Sequence, residues 1–393
     1  MRLLTVTTLY PNAVTPTHAV FVENRLRRIL DLGGMSARVI APVPWFPFTH
    51  PRFGQYAKYA AVPRAEERLG IPITHPRFVI IPKLPTLQPS SYFRALKAEV
   101  ERLEGQGVTF DLIDAQYIYP DAVAAARLGK LLDKPVVATA RGSDLHQVAH
   151  LPKERRQIQA ALPDIARMIT VSAALGREAE ALGYPAEQIA VLRNGVDAQV
   201  FRPVDGTRWR AMTGGASQVF CSVGLLIERK GHEYAIRALS EFGDAHLLIA
   251  GTGPLRQSLA DLAQSLGLAE RVHFLGALPH EDLPSLYSAV DVMILATGRE
   301  GWPNVVLEAM GCGTPVVATR IGGIPEIITS PDVGEIVDDR SGPGIAAGLR
   351  ALLARQPDRN RVRAHAEAHS WDETVTRQAA LYRDVAEAWK KKR

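Results

Sequence analysis

Residues 291–319 read DVMILATGREGWPNVVLEAMGCGTPVVAT, and the elements they spell decide the fold. The run 291–295 is apolar without polar alternation, as in a strand buried on both faces of a parallel sheet. Pro303 suits the first turn of a helix, where its missing N–H is not needed. Residues 311–315 end that helix and open the next strand, VVAT. Strand, loop, short helix, turn and strand make one repeat of a parallel α/β sheet. Two carboxylates bracket the repeat, Glu300 in the loop and Glu308 on the helix. At about 1.5 Å per helical residue, Asn304 and Glu308 stand roughly 6 Å apart along the axis, a span that fits a diphosphate and the ribose behind it. A diphosphate at this N-terminus would meet unpaired N–H groups and the positive end of the helix dipole. Glu308 would then accept from ribose hydroxyls, and Glu300 would face whatever lies beyond the phosphates. The alternative is that both glutamates are solvated and Pro303 merely caps a helix.

Outward from this repeat the same alternation continues. The second half reads as strands 219–223, 246–250 and 272–275 with helices 231–240, 254–266 and 281–288, and a short helix follows Pro325. The first half reads as strands 3–7, 37–41, 112–115, 135–139, 168–171 and 189–192, separated by helices 20–32, 91–104, 121–132, 153–161 and 173–182. Alternation in both halves predicts two doubly wound, Rossmann-like α/β domains facing each other across a cleft, with ligands at the carboxyl ends of the strands. Residues 193–217 carry turn chemistry at Asn194-Gly195 and a Gly-rich end, which places a boundary there. The domains are then 1–197 and 198–371, followed by a helical tail. Residues 42–92, rich in Pro and aromatics, read as irregular loops of the kind that carry binding surfaces. Helix 20–32 is amphipathic, with Val22, Leu26, Ile29 and Leu30 inward and Arg25, Arg27 and Arg28 outward.

A chain of 393 residues with 47% apolar content can bury two sizeable cores. Its two cysteines, Cys221 and Cys312, make neither a disulfide framework nor a zinc spacing, which fits a reducing compartment. No signal peptide and no run of 18 apolar residues is present, so a cytoplasmic protein is expected, at most peripheral at the inner face of the cell membrane. Charge is uneven. Residues 1–197 carry 24 Lys and Arg against 18 Asp and Glu, whereas residues 198–393 carry 22 against 23. A basic first half suggests an anionic partner, a membrane surface being the leading candidate, or it simply serves solubility. Arg25, Arg27 and Arg28 are the candidate contacts. Nucleic acid is disfavoured, because no dense basic-aromatic patch or nucleic-acid motif occurs.

Residues 223–231, VGLLIERKG, end a strand at Gly224 and deliver Arg229 and Lys230 just before a helix. Two fixed cations at a strand's carboxyl end suit a diphosphate, while an ordinary basic helix start would oppose the helix dipole. Residues 251–254, GTGP, lack the third glycine of a dinucleotide fingerprint, and no P-loop lysine pattern occurs. Gly322-Gly323 either offers backbone amides to an anion or is only a tight turn. Asp338-Asp339 reads as a turn rather than a metal site.

With these residues in place, the chain resembles the family-four glycosyltransferases, retaining enzymes of the GT-B fold. EGWPNVVLE matches their Glu–seven residues–Glu signature. The order agrees elsewhere: YPN with FVENRLRRIL, TARGSDLH, VSAALGREAEALG, RNGVDAQVF, VGLLIERKG, AGTGPLR, GALPHEDLPSLYSAVDV, GGIPEII and HSWDETV. The likeness is strongest to the branch that builds cell-envelope polysaccharides. It implies transfer of a sugar from a nucleotide-diphosphate sugar to a glycan or lipid-linked acceptor. Glu308 would hold the ribose, and Glu300 the donor sugar's hydroxyls beside the amides of Asn304 and Val305. Lys230 with Arg229 would neutralise the departing diphosphate, so neither metal nor cofactor is expected. Gly224 would border the donor, and the loop containing Leu275 and Leu278 would take the base. Arg141 would meet the donor from the first domain, with His18 and Asp144 on the acceptor side. The helix after Trp371 is similar to one that crosses back onto the first domain. Two positions depart from the family: Leu225 stands where many relatives carry Arg, and Arg141 where many carry His. Arg141 is either a permanent cation for the reaction or the partner of Asp144 in holding its loop. An epimerase or hydrolase on the same scaffold, and a non-catalytic nucleotide-sugar binding protein, are the competing functions.

Overall fold

Strands that alternate apolar with polar residues expose one face, whereas VVATA and VMIL do not alternate and are buried along their whole length. In the computed structural model, which describes residues 1–81 and 84–392, such strands build two separate sheets in two units. The first unit takes in Met1–Arg193 and the segment from Asp372 onward, and the second Asn194–Trp371.

The first unit contains β1 (Arg2–Val6), β2 (Ser36–Ile40), β3 (Val43–Pro44), β4 (Ala65–Arg68), β5 (Ile71–Thr74), β6 (Arg77–Phe78), β7 (Leu112–Ala115), β8 (Val136–Ala140), β9 (Arg167–Thr170) and β10 (Ile189–Val191). Eight form one sheet in the order β10-β9-β8-β7-β1-β2-β5-β4, parallel except for the β4–β5 pair. β3 and β6 pair separately. From β1 the chain first steps to β2 on one side and later returns to β7 on the other. The topological switch point, where ligands bind in open α/β sheets, therefore lies at the carboxyl ends of β1 and β7.

Two expectations are corrected here. Residues 42–92 are not irregular throughout, since they hold β3–β6 and the helix Gln55–Ala61. β4 and β5 form a hairpin across Leu69-Gly70, both with positive φ (51° and 75°), the backbone of a type I′ turn. Glycine suits the second place, but leucine in the first disguises the turn. Arg25 is the second correction. It lies inside the helix Val20–Asp31 contact, 1% exposed, not on its outer face. Its Nε donates to Gln378 Oε1 at 2.5 Å and its Nη1 to the Leu192 carbonyl at 3.2 Å, and burial brings its pKa down to about 9. Arg27 and Arg28 are half-buried, so the three arginines do not form an outward basic stripe. Among the described residues no helix is long and apolar enough to cross a membrane.

The second unit holds β11 (Gln218–Val223), β12 (Ala245–Ala250), β13 (Val272–Gly276), β14 (Val292–Leu295), β15 (Val316–Thr319) and β16 (Gly334–Val337). The order is β13-β12-β11-β14-β15-β16, all parallel. Phe220, Leu247, Ile294 and Val317 from the sheet pack with Ile236, Leu259 and Leu349 from the helices in its core. The switch point falls between β11 and β14, so the loops following these two strands face each other. The helix of the opening stretch is Asn304–Gly311, with Pro303 as its cap residue rather than in its first turn. That one-residue difference is ordinary at helix ends.

Candidate functional site

The second unit's switch point assembles most of the residues singled out in sequence. After β11, Gly224 adopts φ 152°, and the loop closes in a 3-10 turn, Glu228–Lys230, before the helix His232–Leu239. Gly231 ends that turn at φ 68°, where a Cβ would stand 1.9 Å from the Ala296 carbonyl, so glycine brings the two loops into backbone contact. After β14, residues 296–303 lead to Glu300. One oxygen of its carboxylate gathers the charges: Glu300 Oε1 accepts from Lys230 Nζ at 2.6 Å and from Arg229 Nη1 at 3.2 Å. The Thr297 hydroxyl is 3.1 Å from the same oxygen. Side-chain exposure is 14% for Lys230, 11% for Glu300 and 33% for Arg229, so the first pair is the well-shielded one.

Other groups hold this arrangement. Arg340 donates from Nε to the Ala296 carbonyl at 2.9 Å and from Nη2 to the carbonyls of Glu228 at 3.0 Å and Arg229 at 3.1 Å, stitching the two loops together. Nothing in the sequence marks Arg340, which lies 40 residues beyond Glu300. His232 is buried and its pKa falls to about 4, chiefly by desolvation. As a neutral ring it donates from Nε2 to the Leu225 carbonyl at 3.2 Å and accepts at Nδ1 from Ser222 at 2.9 Å. In the Gly322-Gly323 turn one of the two amides is already engaged within the protein. The Gly323 N–H donates to the Gly301 carbonyl at 3.1 Å, and a Cβ on Gly322 would stand 1.8 Å from the Glu300 carbonyl. The turn serves to fix Glu300.

The helix Asn304–Gly311 begins directly after this loop. The amides of Asn304 and Val305 belong to the first turn and have no carbonyl partner within the helix. The Asn304 side chain accepts from Asn194 Nδ2 at 3.1 Å. Glu308 sits one turn on, partly exposed, in surroundings that push its pKa up to about 7 by desolvation while the nearby Tyr287 hydroxyl pulls it down. Leu275 and Leu278 lie at the end of β13, two strands from the switch point, and both are partly exposed. Leu225, where the departure from the family occurs, is 57% exposed.

The remaining candidates belong to the first unit. His18 is exposed and lines a cavity of about 730 Å³ at that unit's switch point. Arg141 and Asp144 follow β8, and Asp144 holds this loop through the backbone amide of Arg141 rather than through its guanidinium. The Asp144 carboxylate accepts the backbone amides of Arg141 (3.0 Å), Gly142 (2.7 Å), Leu145 (3.1 Å) and Ile118 (3.1 Å), and is buried under the loop instead of facing an acceptor. The Arg141 guanidinium turns away to Gln116 Oε1 and to the Phe21 ring, 5.3 Å from its centroid. Among the described residues its Nε and Nη1 are buried without a hydrogen-bond partner, and desolvation lowers its pKa to about 10.

Residues 209–369 match the family described as Glycosyl transferases group 1, and residues 25–200 match Glycosyltransferase Family 4. A Bacillus subtilis glycosyltransferase named for teichuronic acid biosynthesis, TuaC, is 27% identical, with 83% of each chain covered. A D-inositol 3-phosphate glycosyltransferase of Acidothermus cellulolyticus is 33% identical over 52% of this chain and 49% of its own. Among solved structures, sucrose-phosphate synthase from Thermosynechococcus elongatus superposes with a TM-score of 0.79 at 20% identity, covering 99% of this chain and all of that one. Anabaena HepE in complex with UDP-glucose gives 0.70 at 19%, covering 97% and 98%. At such identities the structural likeness speaks to the fold alone.

Proposed function

The chain belongs to the glycosyltransferases of group 1 and family 4 and has their GT-B architecture of two Rossmann-like halves, and from that premise we propose that it is a retaining hexosyltransferase using a nucleotide-diphosphate sugar. The observation that carries this reading is the Lys230–Glu300–Arg229 cluster at the mouth of β11 and β14, directly before the N-terminus of Asn304–Gly311. Cations, unpaired helix amides and a carboxylate one turn down match, in order, diphosphate and ribose. In this reading Lys230 and Arg229 take the charge of the leaving diphosphate, a task that otherwise falls to a metal. Glu300 orients the donor sugar and Glu308 accepts from the ribose. HepE is named with UDP and UDP-glucose bound, which makes uridine the first base to try. The relation to TuaC favours a cell-envelope glycan or lipid-linked acceptor, worked on at the cytoplasmic side of the membrane.

The test is a thermal-shift screen of uridine, guanosine and adenosine diphosphate sugars, followed by NMR of the product's anomeric centre. One base family should raise the melting temperature, and the product should keep the donor's anomeric configuration. Rapid donor turnover with no acceptor, or an inverted product, would overturn the reading. Binding without any turnover across an acceptor panel would instead favour a nucleotide-sugar binding protein.

A further inference from the structure

Gln116 and Arg141 follow neighbouring parallel strands, β7 and β8, and their side chains meet at the carboxyl ends of both. Gln116 is buried, and its backbone amide donates to the Val6 carbonyl of β1 at 3.0 Å. Its side-chain Nε2 lies 2.6 Å from both oxygens of Asp114, to which it donates, and its Oε1 accepts from Arg141 Nη2. One amide thus bridges a buried carboxylate and the arginine of the β8 loop.

This amide can face only one way. Asp114 receives three donors and so acts as an acceptor, whereas a guanidinium only donates. A side chain bridging the two must offer its N–H₂ group to the first and its carbonyl oxygen to the second. Asp114 is itself held in place, because the Thr5 and Tyr382 hydroxyls also donate to it, at 3.2 Å and 2.8 Å. From the helix Val20–Asp31 the Phe21 ring meets the guanidinium carbon, 5.3 Å from the ring centroid. Arg141 therefore has a fixed oxygen and an aromatic face to rest on. Among the described residues its Nε and Nη1 are left buried without a hydrogen-bond partner. Donors in that state are costly, and an anion brought to them would satisfy both.

We infer that Gln116 is a positioning residue for the reaction: its amide, oriented by Asp114, holds the Arg141 guanidinium so that Nε and Nη1 remain free for the negative charge that develops on the donor. The inference rests on the glycosyltransferase reading, in which Arg141 is a permanent cation for the departing diphosphate, and it names the group that aims that cation. A cation fixed in advance stabilises developing charge without reorganising. Loss of its holder is therefore felt in turnover more than in ground-state binding.

The test is a double-mutant cycle, read as release of UDP from UDP-glucose over a panel of glycoside acceptors. Gln116→Met keeps the length of the side chain and removes both polar groups. It should lower kcat about fivefold or more and leave KM for UDP-glucose within about twofold, the pattern of a lost transition-state interaction. In the Arg141→Ala background the same change should alter kcat by less than about twofold, because its effect passes through the guanidinium. A residue that merely supports the fold would add its loss in both backgrounds. Should Gln116→Met not fold, Gln116→Asn, one methylene too short to bridge Asp114 and Arg141, takes its place with the same expectations. Equal losses in the two backgrounds, or normal kcat in the Gln116 variants beside a slow Arg141→Ala, would overturn this inference alone. Normal turnover in Arg141→Ala would remove the arginine from the reaction, and Gln116 with it. No UDP release by the wild-type protein refutes the donor reading itself.

Discussion

Glu300 Oε1 receives Lys230, Arg229 and Thr297, so the cations proposed for the diphosphate also have a protein anion beside them. A diphosphate must compete with Glu300 for Lys230. Glu300→Gln keeps the shape and removes the competing charge, so free UDP should bind more tightly, by up to about 1.4 kcal/mol or tenfold, while sugar transfer slows. Lys230→Ala should weaken UDP by about 1.5–3 kcal/mol. Titration calorimetry decides, and weaker UDP binding by Glu300→Gln would refute the competition. Glu308 adds a pH dependence. Its pKa is about 7 in the folded protein against 4.5 for the free group, so the native state holds a proton that the unfolded state has released. Its contribution to stability therefore falls as pH rises through that window. On the proposed role ligand binding runs the other way, because ribose hydroxyls would need the ionised carboxylate as acceptor. Affinity for UDP-glucose, whose own diphosphate does not titrate there, should rise about tenfold between pH 6 and 8. Glu308→Gln should flatten that rise, and a persistent slope in the variant would assign it elsewhere.

At the scale of elements, Asp144 ties the loop after β8 to the loop after β7 through four amides. Asp144→Asn turns an N–H₂ group toward donors and should cost about 2–3 kcal/mol, on the order of 5–10 °C in the first unit's melting temperature. Arg141→Ala should behave differently. Among the described residues its guanidinium donates to one side chain, Gln116, so melting should change little, while on the proposed role turnover should fall at least tenfold as a cation is withdrawn. A large loss of melting temperature with normal turnover would make Arg141 structural instead. The strands and helices around these loops were legible because apolar periodicity is a local property. So was the meeting of Lys230, Arg229 and Glu300, each in a loop that follows a strand. Arg340 was not, since its work is to bond three carbonyls that no side-chain pattern announces. The β4–β5 hairpin was hidden by Leu69, a residue that seldom takes positive φ. Arg25 misled because a helical wheel assumes that arginine seeks water, and its partner Gln378 is 353 residues away.

At the scale of the whole chain, the second unit interrupts the first, whose fold is completed only by the helix Trp371–Lys391. That helix brings polar groups to a buried centre. The Tyr382 hydroxyl donates to Asp114 Oδ1 at 2.8 Å, beneath β7, and Gln378 receives Arg25. Asp114 is wholly buried, and desolvation raises its pKa against the pull of Tyr382 and Gln116. Tyr382→Phe removes one of the bonds that keep this carboxylate charged and should cost about 1.5–3 kcal/mol. The two units have separate sheets and separate cores, so scanning calorimetry should resolve two transitions. Tyr382→Phe should lower only the transition of the first unit. UDP at a hundredfold excess over its dissociation constant should raise only the other, by about 2.7 kcal/mol. The variant and the ligand thus label the transitions independently. If both perturbations move a single shared transition, the units unfold as one and the assignment of stability to separate cores is wrong.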